Sequence, residues 1–320
     1  MPESVDPSRD YQPLPEPTQI GSTSEVVLAT YNLGRTSQGH SQSRFRESTH
    51  SQTHLLFAHA TGFCAGVWAP LTDHLAQYCR TSLDFRGHGL SSIPVHGMNW
   101  AGTAEDVLAA IDHFELVKPF GVGHSMGGAS LILAEQMRPG TFSGLWVYEP
   151  IIFPEGGIDL LSASNEVNDF SDNNPLVASA LRRRDRFDSP AVAEQNFAHK
   201  LPLSDLCAAA LRAYVEYGFE KLPDGSITLR CRPEIEADTY RMGAHHDAFA
   251  HLGEVTCPVT VARGHTHFAG PAELAPLIAQ ALPTATLEEF LELGHFGPLQ
   301  DPLKIAVAIL SAIGAVTAAP

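Results

Sequence analysis

The stretch that most constrains this chain is Gly123-His124-Ser125-Met126-Gly127, which fits the pattern G-x-S-x-G. A serine hydroxyl is a weak nucleophile until a base takes its proton, and it must stand clear of the element that carries it. A sharp turn from a strand into a helix gives that exposure, but it strains the serine backbone and crowds its neighbours. Glycines two residues before and two after relieve the crowding. The flanks agree with such a turn. Lys118–Val122 reads as a short buried strand. Gly128–Met137 carries Leu131, Ile132 and Leu133 and stops before Arg138-Pro139-Gly140, as a helix should. Without those flanks the motif would read as an ordinary glycine-rich turn; with them, Ser125 is the candidate nucleophile.

The rest of the chain repeats the same alternation of short apolar strands and helices. Strands are expected at Glu25–Leu33, His54–Ala58, Arg80–Phe85 and Gly144–Tyr148, with a further short one at Arg44–Glu47 inside a polar loop. Trp68–Tyr78 has a helical period, and Thr103–Leu116 is amphipathic, with Thr103 as its expected cap. After Ile151 the alternation stops. Proline and glycine clusters give way to helical stretches around 175–184, 191–198 and 204–217. It resumes with Pro258–Arg263, Glu273–Leu282, Thr286–Phe290 and a last helix from Pro302, capped by Asp301. The expected fold class is α/β, with a mostly parallel central sheet covered by helices on both faces. The expected domains are an extended or loosely attached segment at 1–21, a core at 22–150 and 252–320, and a mainly helical insertion at 151–251.

At 320 residues the chain can bury a substantial core. A net charge of −16 and an isoelectric point near 5.3 argue against nucleic acid or an anionic membrane surface as partner. Five cysteines, an odd number without C-x-x-C spacing, are expected to be free thiols in a reducing compartment. The acidic, proline-rich N-terminus lacks a basic-then-apolar pattern, and no apolar run is long enough to span a bilayer, so a cytoplasmic location is expected.

Four motifs in order carry a resemblance. They are His59-Ala60-Thr61-Gly62-Phe63 after one strand, Asp84-Phe85-Arg86-Gly87-His88-Gly89 after the next, the Ser125 motif, and Gly294-His295-Phe296-Gly297-Pro298 near the end. Together they resemble the α/β-hydrolase superfamily, in its serine-nucleophile branch with a cap domain. The resemblance implies that Ser125 is the nucleophile, that His295 is its general base, and that the Met126 N–H is one donor to the oxyanion. Alignment with the family's usual His-Gly-x stretch puts Thr61 at the second donor position. Ala60 stands where a glycine is usual, so Gly62 stays a candidate. His59, Gly62, Phe63, Trp68 and His124 are the expected pocket residues. Asp84 and Arg86 are expected to be structural.

The triad acid is where the chain departs from its family. The usual aspartate follows the strand after the cap, but the loop here reads Gly264-His265-Thr266-His267-Phe268, with His267 at the acid's place. Some members of the fold place the acid one strand earlier. Here that position is Glu149, at the end of Gly144–Tyr148, and the order Ser125, Glu149, His295 preserves nucleophile, acid, base. Glu155, Asp247 and no acid at all are the alternatives. His245, His246, His251, His265 and His267 make no recognised metal spacing, so no metal site is expected, and no cofactor. Arg182–Arg186 is read as a solvated charged face rather than an anion site. The expected function is cofactor-independent hydrolysis of a carboxylic ester or similar acyl bond. The expected substrate is a small molecule with an apolar acyl or alcohol part, and a homodimer is compatible with the sequence. Two rivals stand beside it: C–C hydrolase, perhydrolase or lyase chemistry on the same fold, and a non-enzymatic small-molecule receptor.

Overall fold

The computed structural model describes residues 10–23, 25–34, 53–154, 174–243, 245–265 and 270–318. The short apolar runs become the strands of a central sheet. These are β2 (Val26–Asn32), β3 (His54–Ala58), β4 (Cys79–Leu83), β5 (Phe120–His124), β6 (Gly144–Tyr148), β10 (Val259–Gly264) and β11 (Ala285–Phe290). β1 (Thr18–Thr23) adds an outer strand. Among the described residues the order is β1-β2-β4-β3-β5-β6-β10-β11. β1, β2 and β4 pair antiparallel, and every pair from β4 to β11 is parallel.

Period-two alternation splits the strand side chains between two cores. Leu55, Phe57, Trp146 and Tyr148 face one cluster, while Leu56, Ala58, Leu145 and Val147 face the other. The second cluster is closed by α2 (Trp100–His113), α3 (Met126–Met137) and α8 (Pro271–Ala281). The first is closed by α1 (Ala69–Asp73) and α10 (Pro302–Ala318). Each fully buried aliphatic side chain is worth about 1.5–3 kcal/mol of transfer free energy.

Between β6 and β10 lie α4 (Pro175–Arg182), α5 (Pro190–Phe197), α6 (Ala208–Gly218) and α7 (Pro233–Met242). The insertion also holds a small antiparallel sheet that helical periodicity did not suggest. β7 (Arg186–Phe187), β9 (Ile227–Leu229) and β8 (Phe219–Lys221) pair in that order, two or three residues each, too short to show alternation. Phe187, Phe197, Tyr214, Phe219 and Leu229 join the same cluster as Phe63 and Trp68, so the insertion shares a core with one face of the sheet.

Several local expectations are corrected. Of the segment expected to be extended or loosely attached, the described part from residue 10 is extended but not loose: Tyr11 is buried, and Thr18–Thr23 pairs with β2. α2 begins three residues earlier than expected and is capped by Asn99, whose side chain accepts from the Gly102 N–H at 2.8 Å. Thr103 instead donates its hydroxyl to the Trp100 carbonyl, which a helical threonine can do within its own turn. Trp68–Tyr78 is not one helix but a 3-10 turn at Ala65–Trp68 followed by α1. Asp301 does cap α10, accepting from the Lys304 N–H at 3.0 Å. The strand expected at Arg44–Glu47 lies outside the described residues. Among the described residues no helix is long and apolar enough to cross a membrane.

Candidate active site

β3, β5, β6 and β10 are parallel neighbours, so their C-terminal ends open along one edge of the sheet, where ligands of open α/β sheets bind. The expected site residues follow those ends. Ser125 comes directly after β5, with φ 54° and ψ −115°, a conformation that L-residues rarely hold. Its N–H donates to the Tyr148 carbonyl at 2.9 Å, and its carbonyl accepts from Ala129 at 3.1 Å, starting α3. The turn is tight enough that a Cβ on Gly127 would sit 2.1 Å from the Ala58 carbonyl oxygen, which is why glycine is required there.

Glu149 comes directly after β6, and it too has a positive φ, 45°. Its carboxylate is 1% exposed. One oxygen accepts from the Gly264 N–H at 2.8 Å; the other lies 2.6 Å from His295 Nδ1. A carboxylate accepts only, so His295 carries its proton on Nδ1 and leaves Nε2 free as a base. The His295 side chain is 30% exposed. Its loop is pinned by its own carbonyl, which accepts from His124 Nε2 at 2.7 Å, and by the Gly294 carbonyl, which accepts from the Tyr148 hydroxyl at 2.8 Å. His295 is thus tied to the residue just before Ser125, and Glu149 follows the residue whose carbonyl holds the Ser125 N–H.

Of the other expected acids, Asp247 has an exposed side chain and pairs with His251. Glu155 and His267 lie outside the described residues. The structure therefore joins His295 to Glu149, the acid expected one strand early, on a loop tied to the residue before Ser125.

The Met126 N–H opens α3, where first-turn amides have no partner within the helix. Ala60-Thr61-Gly62-Phe63 is a four-residue turn closed by Phe63 N–H to Ala60 carbonyl at 3.2 Å, with Gly62 at φ 77° in its third position. The Gly62 N–H donates to His88 Nε2 at 3.1 Å, so it is already used. No hydrogen bond to the Thr61 N–H occurs among the described residues. Of the two candidate donors, Thr61 is the one that is free.

The expected pocket residues divide. Phe63 packs against Tyr214 and Phe296 at ring separations of 5.2 and 5.6 Å, forming an aromatic wall with the insertion. Trp68 is 1% exposed and packs on Phe57 in the core. His59 is fully buried, and both its ring nitrogens are engaged, by the Ala60 carbonyl and the Phe85 N–H. Trp68 and His59 are thus core and framework residues rather than pocket lining. Burial holds His59 and His124 well below the usual histidine range, so both are neutral.

Asp84 is structural, as expected. It accepts from the N–H groups of Ala65 and Leu90 and from the Tyr31 hydroxyl, and burial pushes its pKa up to about 6. Arg86 is structural too, paired with the buried Asp106 carboxylate. His246 bonds the Ile151 carbonyl, His251 bonds Glu254, and no metal-holding cluster occurs among the described residues. The expectation of a solvated Arg182–Arg186 face fails at Arg183. Its guanidinium bonds Glu236 and, at 2.7 Å, the Tyr214 hydroxyl, beside Gly62. That network joins α4, α6 and α7, and no local sequence signal announces it. Two surface cavities, of about 400 and 310 Å³, lie elsewhere; neither is lined by Ser125, Glu149 or His295.

Comparison with known proteins fits this geometry. The model of an alpha/beta hydrolase family matches residues 55–308. A 2-(acetamidomethylene)succinate hydrolase of Mesorhizobium japonicum is 27% identical over 215 residues, 66% of this chain and 70% of its own. A crystal structure of E-2-(acetamidomethylene)succinate hydrolase superposes with a TM-score of 0.69 at 20% identity, covering 93% of this chain and 98% of that one. A malate-bound thermophilic esterase from Thermogutta terrifontis gives 0.66 at 17% identity, covering 94% and 99%. At these identities the two structures speak to fold alone.

Proposed function

Because the chain belongs to the alpha/beta hydrolase family, we propose that it is a serine hydrolase that cleaves a carboxylic acyl bond through an acyl-enzyme on Ser125. His295 Nε2 takes the Ser125 proton as Oγ attacks the acyl carbon. The N–H groups of Met126 and Thr61 hold the oxyanion. His295 then returns the proton to the leaving group, and a water attacks the acyl-enzyme by the same route. The observation that carries this reading is the 2.6 Å contact between the buried Glu149 carboxylate and His295 Nδ1. It fixes the tautomer and stabilises the imidazolium that forms.

The described residues 174–243 and 245–251 of the insertion serve as the cap, and Phe63, Phe296 and Tyr214 supply an apolar wall for the substrate. The mechanism needs no cofactor. The leaving group can be an alcohol or an amine. The Mesorhizobium relative, whose name carries an acetamido group, favours the amide as the second reading.

A serine-reactive fluorophosphonate should label Ser125 in the wild type and not in Ser125→Ala. A panel of short esters and N-acyl amides then reads the leaving group. Labelling without turnover of either class would turn the reading toward C–C hydrolysis, perhydrolysis or lyase chemistry. Absence of labelling would favour a binding protein.

A further inference from the structure

Two buried histidines outside the triad share one arrangement. His59 donates Nδ1–H to the Ala60 carbonyl at 2.8 Å and accepts the Phe85 N–H on Nε2 at 3.1 Å. His88 donates Nδ1–H to the Arg86 carbonyl at 3.0 Å and accepts the Gly62 N–H on Nε2 at 3.1 Å. Both rings are fully buried, 5.2 Å apart, and both are the neutral Nδ1–H tautomer, because each Nε2 faces a donor.

Their partners bracket Thr61. The Ala60–Thr61 peptide is held through its carbonyl by His59, and its N–H, the free donor, points the opposite way because the peptide is planar and trans. The Thr61–Gly62 peptide is held through the Gly62 N–H by His88. A flip of this central peptide, which Gly62 would allow, would replace the Gly62 N–H at His88 Nε2 by the Thr61 carbonyl and leave the turn without that anchor. With one plane tied to each ring, Thr61 has no rotation left. We infer that His88, acting with His59, is a positioning residue for the oxyanion hole. His59 sets the peptide plane that carries the Thr61 N–H, and His88 anchors the next plane at Gly62, so that the turn as a whole keeps that N–H in position for the developing oxyanion. This inference rests on the serine-hydrolase reading. The charged group that approaches from the insertion is Glu236, whose carboxylate would lie 3.0 Å from a Cβ on Gly62 and is paired with Arg183. It closes the turn from the other side.

The test uses two polar isosteres in the full-length chain. His88→Gln keeps an amide oxygen near Nε2, able to accept from Gly62. His88→Asn keeps an amide nitrogen near Nδ1, able to bond the Arg86 carbonyl but not Gly62. Both are first checked for folding by circular dichroism and thermal melting, then assayed for kcat, KM and the rate of Ser125 labelling by fluorophosphonate. The expected result is that His88→Gln stays within about fivefold of wild-type kcat. His88→Asn should lose roughly ten- to a thousandfold in kcat and in labelling rate with KM little changed, up to the size of losing one oxyanion donor. Equal kcat in the two folded variants, or a fall in both that tracks their melting temperatures, would overturn the inference. A wild-type protein that neither labels nor turns over ester or amide would overturn the serine reading and this inference with it.

Discussion

His295 and His88 use the same ring in opposite ways. His295 sits on a loop with 30% of its side chain exposed, and one ring nitrogen is held by a buried carboxylate. The other nitrogen is left to exchange protons. His88 is fully buried with both nitrogens bonded to backbone, and burial lowers its pKa. The contrast shows that the partner set decides the role. An acidic partner on Nδ1 and access to solvent suit His295 to the base role proposed for it. Two backbone partners and no solvent make a neutral strut.

The sharpest way to break that contrast is to remove the base. Ser125→Ala and His295→Ala are each expected to lower kcat by roughly 10⁴- to 10⁶-fold, because nucleophile and base act as a unit. Steady-state assay with labelling checks this. An active His295→Ala would hand the base role to another histidine and dissolve the distinction. Next in size is Glu149→Gln, which keeps the bond to Gly264 but no longer demands a proton on His295 Nδ1. A loss of about 10³- to 10⁴-fold in kcat with an unchanged melting temperature is expected. Near-full turnover would show that His295 needs no acid.

Gly62→Ala probes the strut side. The φ of 77° and the 3.0 Å approach of Glu236 predict a loss of about 1–3 kcal/mol of stability, read by denaturant titration, with a parallel fall in kcat. Wild-type stability there would mean that the turn is looser than it looks.

The neutral histidines also predict a pH dependence of stability. His59, His88 and His124 have folded pKa values below the unfolded value near 6.5, and His54 and His246 shift the same way. Below pH 6.5 the unfolded chain takes up protons that the folded chain refuses. Their stabilising contribution is therefore full above 6.5 and is lost as pH falls from there, by up to about 1 kcal/mol per histidine at pH 6. Asp84, raised to about 6, takes up its proton with the opposite sign and offsets part of one histidine's loss at the lower end of the window from pH 7.5 to 6. Melting temperature should fall across it, and less so in His88→Gln. The smallest expected effect is that of EDTA. With His246 bonded to the Ile151 carbonyl and His251 to Glu254, turnover should not change. A loss of activity restored by a divalent cation would contradict the metal-free reading.

Much of the site was legible because its signals are local in sequence. The Ser125 turn needs its glycines within two residues, the His295 loop needs Gly297 where Tyr148 packs close, and buried parallel strands must be short and apolar. These are constraints of backbone sterics and hydrophobic periodicity, and they made the α/β sheet, the Ser125 turn and the order of elements readable, while His295 entered as a candidate through the family resemblance. Glu149 was legible only as a substitution, from a missing acid in one loop and a carboxylate at the end of another strand. Contact between Glu149 and His295, 146 positions apart, is a product of strand order, which sets β6 beside both β5 and β10. The same holds for what the sequence left open or misread. That the Gly62 N–H is occupied and the Thr61 N–H free depends on His88, 26 residues away. That Arg183 is half-buried while its arginine neighbours are exposed depends on Glu236 and Tyr214, on two other helices. Periodicity and turn chemistry act over a few residues and so can be read directly. Which donor meets which acceptor across the fold depends on how the elements pack, and only the tertiary structure decides it.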